Sequence, residues 1–345
     1  MNVADEGALQ QALRYGCHEM RKPRRFATSL PYSSISCLRK PSMRADLLPI
    51  VSLLLSTFFL MAGAGLQGIL LPVRASIEGW GSYEIGLLGT GYAVAFTAGC
   101  VVMPSIVRSA GHVRTFSALA ALLAISVLLN GLIVQPAAWI AARGLAGFAL
   151  AGSYMVIESW LNERVTNETR GKVFSLYMVI SMAAMMGGQF AMPLARPELA
   201  TGFMICAIFY AMAVIPNALS RAASPKPLTQ VRLDLGAIYR NSPAAVVGVF
   251  LSGILSGGWT NMAPVFGQKI GLTTAEISVL LVSTMAGGAV LQVPLGRISD
   301  KVDRRAVMIL AGLIGLAAAF FALTFWSGGP LSLFAIAFTI GGVIY

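Results

Sequence analysis

The chain has 345 residues, of which 57% are hydrophobic and only 11% are charged, and its mean hydropathy is +0.75. A soluble domain carries roughly a quarter of its residues as charged ones, because its surface must face water, so this composition excludes a set of soluble domains. The apolar residues fall in blocks of about 20, the length that crosses a hydrocarbon layer of roughly 30 Å. The sequence therefore predicts an all-α membrane protein with several crossings.

The basic residues indicate membrane topology rather than a nucleic-acid partner. The net charge is +11, but the 25 Lys and Arg residues lie mainly in short segments between the apolar blocks. This distribution is typical of a membrane protein and not of a nucleic-acid groove. The four cysteines lack metal-ligand spacing, and only two histidines are present. We therefore expect no nucleic-acid partner, no metal, no cofactor and no enzymatic activity.

The chain begins with a polar, basic segment, residues 1–46, that lacks the apolar core of a secretory signal. We interpret it as a cytoplasmic tail that is disordered or that precedes a true start at Met43. Residues 220–243 form the next polar interval and are interpreted as a cytoplasmic linker between a first six-helix bundle, 47–219, and a second, truncated bundle, 244–345. The apolar blocks predict ten crossings, at 47–71, 83–107, 115–135, 139–160, 172–194, 201–219, 244–266, 276–296, 306–326 and 331–345.

The last apolar block is shorter than the others. It contains 15 residues after Pro330 and has no charged flank behind it. Since a crossing needs about 20 residues, we interpret the chain as truncated within its tenth crossing. A short re-entrant segment is the alternative.

The orientation follows from Lys and Arg counted on alternate sides of the crossings. The side of the tail and the linker holds 21 of them, and the opposite side holds Arg74, Arg196 and Lys269. Because basic residues are retained on the cytoplasmic side, we expect a cytoplasmic N-terminus in a multi-pass protein of the bacterial inner (plasma) membrane.

An internal repeat relates the first two crossings to the seventh and eighth. A shift of 192 residues aligns them without a gap, and the identical pairs include Pro72 with Pro264, Gly79 with Gly271 and Glu84 with Glu276. Six crossings, an even number, separate the two copies, so the repeats are parallel. Halves related in this way typically rock around a shared site near the middle of the membrane.

Several motifs resemble those of one transporter family. Residues 296–305 read Gly-Arg-Ile-Ser-Asp-Lys-Val-Asp-Arg-Arg, which resembles the cytoplasmic signature of the major facilitator superfamily (MFS), with Asp303 in place of its second glycine. Residues 143–147 are similar to the family's Arg-x-x-x-Gly element. Four pairs resemble its YcaD-like bacterial branch: Glu158-Ser159, Arg170-Gly171, Tyr177-Met178 and Gly188-Gln189. The resemblance implies an MFS-type fold of two parallel six-helix repeats, with about ten transmembrane segments present and the second repeat incomplete.

The resemblance further implies that the end of the eighth crossing touches the start of the fifth. A carboxylate there would lie at a helix N-terminus, which carries about half a positive charge and unpaired N–H groups. We predict a cytoplasmic latch that breaks and re-forms as the halves rock, formed by Gly296, Asp300, Lys301, Arg304 and Arg305. The alternative is that these charges only fix the topology. In the first copy Arg108 stands in the place of Asp300, so the symmetric latch is absent or Arg108 pairs with an acid.

Glu158 ends the fourth crossing, where the helix dipole disfavours a carboxylate. We therefore predict that Glu158 is paired, with Arg170 or Arg108 within reach. Since few acids lie at the cytoplasmic end of a crossing, Glu158 is also the first candidate for proton coupling. A purely structural ion pair is the alternative.

Arg143 lies about four residues, roughly 6 Å, inside the outer end of its crossing. A charge inside the membrane needs a wet cavity, a partner or the interface. Other polar or aromatic residues lie in the outer halves of the first, fifth and seventh crossings, which line the cavity in the resembled fold. We predict that a polar or anionic solute contacts Arg143, Gln67, Gln189, Trp259 and Asn261. Alternatively, Arg143 snorkels to the interface and the amides join helices.

The sequence thus predicts a secondary active transporter that moves a small polar or anionic solute by alternating access, with proton coupling as one option. Its expected partners are that solute and the lipid bilayer, and we expect a monomer. A non-transporting sensor or scaffold with the same helices is one alternative. A membrane-embedded enzyme is the other, although both histidines lie outside the predicted crossings.

Overall fold

The computed structural model describes residues 43–219, 235–325 and 329–344. Within these ranges the chain forms twelve helices and no strand. The helices are α1 (Met43–Ile77), α2 (Ser82–Ala110), α3 (His112–Leu132), α4 (Pro136–Arg164), α5 (Arg170–Phe190), α6 (Met192–Ala195), α7 (Thr201–Leu219), α8 (Leu235–Asn241), α9 (Pro243–Lys269), α10 (Thr274–Ser299), α11 (Arg304–Phe325) and α12 (Pro330–Ile344).

Each of the ten predicted crossings coincides with one of these helices, and their ends differ by a few residues. Nine helices in the described ranges are long and apolar enough to cross a membrane, while α12 has 15 residues. The prediction of an all-α membrane protein is therefore confirmed. The short helices α6 and α8 were not predicted, and α8 lies within the predicted linker. Residues 1–42 of the predicted tail and 220–234 of the linker lie outside the described residues.

The turns before α2 and α10 show the internal repeat in the backbone. Gly79 and Gly271, which are 192 residues apart, both have positive φ angles, of 78° and 83°. Only glycine adopts this left-handed conformation without steric cost, so the repeat preserves a turn that requires it. The α10 copy adds a capping box, in which the Glu276 backbone N–H donates to Thr273 Oγ1 and the Thr273 N–H donates to Glu276 Oε2. This pairing satisfies two N–H groups that a helix start leaves open.

Close helix packing defines the first bundle. Helix α1 packs on α5 and α7, and α2 packs on α4. A Cβ atom added at Gly65 of α1 would overlap the backbone oxygen of Met185 in α5, and one added at Gly188 of α5 would overlap that of Ala62 in α1. In a lipid bilayer the hydrophobic effect does not drive helices together, and small residues stabilise their association because they allow the backbones to come into contact. The α1–α5 contact therefore depends on these two glycines.

The two predicted bundles meet through α9, which packs on α1 and α2, and through α10, which packs on α5. We call the helix ends beside residues 108–114, 158–172 and 297–305 the basic end, and the other side of the bundle the opposite end. Asn261 of α9 lies against Gly89 of α2, and Gln189 Nε2 of α5 lies 3.5 Å from Met285 Sδ of α10. Both contacts lie nearer the opposite end, whereas Arg108 and Asp300 at the basic end are exposed.

Candidate functional site

A cavity of about 520 Å³ lies between α9 and the helices of the first bundle. We call it the central cavity. Its volume is typical of small-molecule binding sites. Its lining residues are Ala64, Gln67, Gly68, Gly89, Tyr92, Ala93, Phe96, Leu123, Arg143, Ala146, Leu150, Tyr154, Met185, Tyr210, Gly253, Ser256, Gly257, Thr260 and Asn261. The structure therefore brings together three predicted site residues from three helices: Gln67, Arg143 and Asn261.

Gln67 contributes a fixed amide to the central cavity. Its side chain is 1% exposed, and Tyr210 Oη of α7 donates a hydrogen bond of 2.6 Å to its Oε1. Its Nε2 is buried and has no hydrogen-bond partner among the described residues. A buried amide donor without a partner costs about 1–3 kcal/mol. Gln67 thus holds an unused donor buried in the cavity wall, and the Tyr210 bond fixes the orientation of the amide.

Arg143 lies half-buried in the cavity wall with its Cζ atom 4.4 Å from the ring centroid of Tyr92. Among the described residues, no carboxylate lies within ion-pair distance of its guanidinium. A cation–π contact contributes about 0.5–2 kcal/mol and leaves the charge of the guanidinium in place. The ring therefore orients the guanidinium but does not neutralise it, and the positive charge is available to an anion.

Helix α9 supplies the facing wall of the cavity. Asn261 Nδ2 donates a hydrogen bond of 2.7 Å to the carbonyl oxygen of Gly257, one turn earlier. Ser256 and Thr260 add hydroxyl groups to the same wall. The second predicted bundle thus contributes neutral polar groups opposite Arg143, and the cavity is bounded by helices of both bundles.

The electrostatics of the cavity follow from this lining. Arg143 is the only charged residue among the described side chains that line it. The remaining surface is mostly apolar or aromatic, with rings from Tyr92, Phe96, Tyr154 and Tyr210. A site of this kind binds an anionic group at one point and apolar surface elsewhere.

Two predicted site residues lie elsewhere. Gln189 is 5% exposed and lies in the α5–α10 contact, beside Met285. Trp259 lines an apolar cavity between α9, α11 and α12, and its Nε1 donates to Thr284 Oγ1 at 3.0 Å. The structure does not place either residue in the central cavity, and contact of either with a solute stays a prediction.

A second cavity, of about 690 Å³, lies toward the basic end, and we call it the basic-end cavity. Glu158 and Arg170 both line it, together with Cys100 of α2. Glu158 accepts a hydrogen bond of 3.3 Å from Tyr177 Oη, and the Arg170 guanidinium lies 5.9 Å from the centroid of the Phe174 ring. Among the described residues Glu158 forms no ion pair with Arg170 or Arg108. Its partner in this structure is therefore a phenol.

The predicted latch residues lie at the exposed basic end. Asp300 follows the last turn of α10, and its backbone N–H donates to the carbonyl oxygen of Gly296. Its carboxylate accepts no hydrogen bond from the described part of the chain. Asp303 Oδ1 accepts from the Arg305 backbone N–H at 2.9 Å and so caps the start of α11. Lys301 is exposed, while the side chain of Arg304 lies outside what the structure describes.

Sequence reasoning missed the aromatic residues of the central cavity. Tyr92, Tyr154 and Tyr210 each carry a hydroxyl in the middle of an apolar helix, and such a polar group needs a partner or water. That signal was present in the sequence but weak, because a tyrosine ring is also an ordinary apolar packing group.

Comparisons with known proteins identify the family of the chain. Residues 53–345 match the family model of the Major Facilitator Superfamily. An uncharacterized MFS-type transporter, YcaD, of Escherichia fergusonii is 22% identical over 262 residues, which cover 75% of this chain and 69% of the relative. The YcaD protein of an Escherichia coli strain is 23% identical over 266 residues, with the same coverage of 75% and 69%.

Solved structures share the fold. The nucleoside transporter NupG matches with a TM-score of 0.69 at 15% identity, over 86% of this chain and 79% of that one. A bacterial homologue of the human lysosomal transporter Spinster, inward-facing and unoccupied, matches with a TM-score of 0.73 at 13% identity, over 88% and 74%. A D-xylose–proton symporter matches with a TM-score of 0.62 at 14% identity, over 87% and 80%.

Proposed function

The chain belongs to the major facilitator superfamily, and from that premise we propose that it is a secondary active transporter. It moves a small polar or anionic solute by alternating access, and the central cavity holds the solute. The observation that carries this proposal is the convergence of Gln67, Arg143 and Asn261, from α1, α4 and α9, on one cavity. An ionisable group inside a membrane helix, such as Arg143, is costly and supports a functional site by default.

Alternating access requires contacts that open at one end as others close. At the opposite end, Asn261 against Gly89 and Gln189 beside Met285 join the bundles in this conformation. At the basic end the Asp300 carboxylate is exposed and available to the N-terminus of α5. When the bundles rock, the contacts at the opposite end break and the latch forms at the basic end. Asp300→Asn slows this exchange and leaves expression unchanged, whereas an unaltered transport rate would argue against the latch.

Proton coupling has one candidate group in this account. Glu158 lines the basic-end cavity and shares a hydrogen bond with Tyr177, so protonation would change a contact between α4 and α5. The Glu158→Gln variant should lose the dependence of uptake on a proton gradient, and Glu168→Gln, at an exposed loop position, is the matched control. Full retention of that dependence in Glu158→Gln would dismiss the carrier role.

The proposal places the protein in the bacterial inner membrane with a cytoplasmic N-terminus, as a monomer. Alternating access is tested by single cysteines at positions 67, 143 and 261, in a chain whose four native cysteines are changed to serine. In proteoliposomes, each should react with an impermeant thiol reagent added on either side, because each state opens the cavity to one compartment. A sensor or scaffold would expose the cavity to one side only, and cysteines that stay unreactive from both sides would end the proposal.

A further inference from the structure

The charge of the central cavity restricts the solute that fits it. The Arg143 guanidinium is not ion-paired among the described residues and supplies the only charge in the described lining. One cation balances one negative charge, so a dianion would leave a second charge without a partner against the mostly apolar described lining. A planar guanidinium fork matches a carboxylate with two parallel hydrogen bonds. The lining therefore matches a solute with one negative charge, and a carboxylate is the planar group that the fork fits.

The Gln67 amide sets a second requirement. Its oxygen accepts from the Tyr210 hydroxyl at 2.6 Å, and its Nε2 donor is buried in the cavity wall without a partner among the described residues, so a solute reaches this donor when it displaces the side chains that cover it. A solute satisfies this donor with an uncharged acceptor, such as a carbonyl or ether oxygen. A solute with an apolar group there leaves the donor unsatisfied, and buried polar groups left unpaired reject such analogues strongly. Tyr210 is a positioning residue in this arrangement, since it acts through Gln67.

The rest of the cavity surface favours an apolar body. Phe96, Leu150 and Met185 contribute apolar side chains, and Tyr92 and Tyr154 contribute ring faces. A volume of about 520 Å³ accommodates one substituted ring with room to spare.

We propose that the central cavity selects a monocarboxylate with an apolar or aromatic body and a second, uncharged hydrogen-bond acceptor. This inference rests on the proposed function, because it names the solute class for the same cavity. Arg143 binds the carboxylate, Gln67 donates to the acceptor, and the aromatic side chains pack against the body.

Four probes of matched shape test the class on the purified chain by isothermal titration. Para-acetylbenzoate has both groups, para-isopropylbenzoate lacks the acceptor, para-acetylbenzamide lacks the charge, and terephthalate carries a second charge. We expect para-acetylbenzoate to bind at least about tenfold more tightly than the amide and terephthalate, and about threefold to tenfold more tightly than the isopropyl analogue. Equal affinity of the benzoate and the benzamide overturns the inference, and so does an absence of para-acetylbenzoate binding at millimolar concentration.

Two variants test which residue causes the preference for the anion and which causes the preference for the acetyl group. Arg143→Gln should bind the benzoate and the benzamide equally, and Gln67→Leu should bind the acetyl and isopropyl analogues equally while it still prefers the anion. The matched controls are Arg114→Gln and Gln292→Leu, at exposed positions outside the cavity, and both should keep the full order of affinities. Retention of that order in Arg143→Gln contradicts the assignment. If a variant does not fold, the probe series on the unaltered chain still decides the solute class.

The Tyr210→Phe variant separates positioning from packing. Without the hydroxyl the Gln67 amide is free to turn, so the preference for the acetyl over the isopropyl analogue should shrink while the preference for the anion stays. An unchanged acetyl preference refutes the positioning role. The probe series tests the solute class, whereas cysteine accessibility tests transport through the cavity. If no probe binds, the solute class is wrong, and the cysteine experiment still decides whether the protein is a transporter.

Discussion

The rings of Phe96 and Tyr154 lie with their centroids 6.4 Å apart, edge to face, and both residues line the central cavity and the basic-end cavity. Tyr154 is anchored by its hydroxyl, which lies 3.0 Å from Met61 Sδ of α1. The two rings therefore form the partition between the site that holds Arg143 and the space that holds Glu158.

Removal of one of these rings should open the partition between the two cavities. In Phe96→Ala, a cysteine at position 67 should react severalfold faster with an impermeant reagent added on the basic side, because the path from the basic-end cavity widens. The matched control is Phe250→Ala, at an exposed position outside both cavities. Equal labelling rates with and without the Phe96 ring would show that the solute path does not pass between these rings.

The contact between Gly89 and Asn261 predicts a defined steric conflict. A Cβ atom at Gly89 would lie 2.6 Å from Asn261 Nδ2, which is held by its bond to Gly257. Gly89→Ala should therefore destabilise this conformation by about 1–3 kcal/mol, which is measured as reduced thermal stability. In the double variant, Asn261→Ala should remove most of this destabilisation.

Gly86 provides the control for this pair, since a Cβ atom there meets nothing within 4 Å. Gly86→Ala should leave stability unchanged or raise it slightly. A Gly89→Ala cost that persists in the presence of Asn261→Ala would place its origin elsewhere than in the contact between the bundles.

The capping box at the start of α10 predicts a local difference between the repeats. Thr273→Ala removes the acceptor of the Glu276 N–H and should lower the free energy of unfolding by about 1 kcal/mol. Ser82→Ala should have little effect, because α2 is capped by Gly81 without a side-chain hydrogen bond. Chemical unfolding in detergent measures both, and equal losses would contradict the cap assignment.

Two native cysteines report the orientation directly. Cys100 is exposed and lines the basic-end cavity, while Cys206 is fully buried in α7. With Cys17 and Cys37 replaced by serine, an impermeant thiol reagent should label Cys100 from the cytoplasmic side and leave Cys206 unmodified. Labelling of Cys100 only from the external side would reverse the orientation predicted from the basic residues.

Much of the fold could be predicted because a membrane crossing is defined mainly by its length and its hydropathy. Length and hydropathy located all ten of the predicted helices, and Gly79 and Gly271 revealed the repeat because their left-handed turns admit little else. The helix α8 was missed because a polar interval with prolines carries no periodic apolar signal.

The candidate site was predicted only in part, for reasons of side-chain chemistry. Gln67 and Arg143 were found because amide and guanidinium groups inside apolar helices require polar surroundings. Trp259 lies outside the central cavity and its single N–H is satisfied by Thr284 within the second bundle, so its contact with a solute stays a prediction. The cavity role of Tyr210 depends on which helix faces α1, and a single sequence does not contain that information.

Alternating access around the central cavity requires that two distances, one at each end of the bundle, change together. Spin labels at positions 109 and 302 span the basic end, and labels at positions 83 and 270 span the opposite end; all four positions lie in exposed or solvent-facing parts of the described chain. In proteoliposomes, double electron–electron resonance should show two populations for each pair, with the long distance at one end linked to the short distance at the other. A single fixed distance at each end under every condition would exclude alternating access.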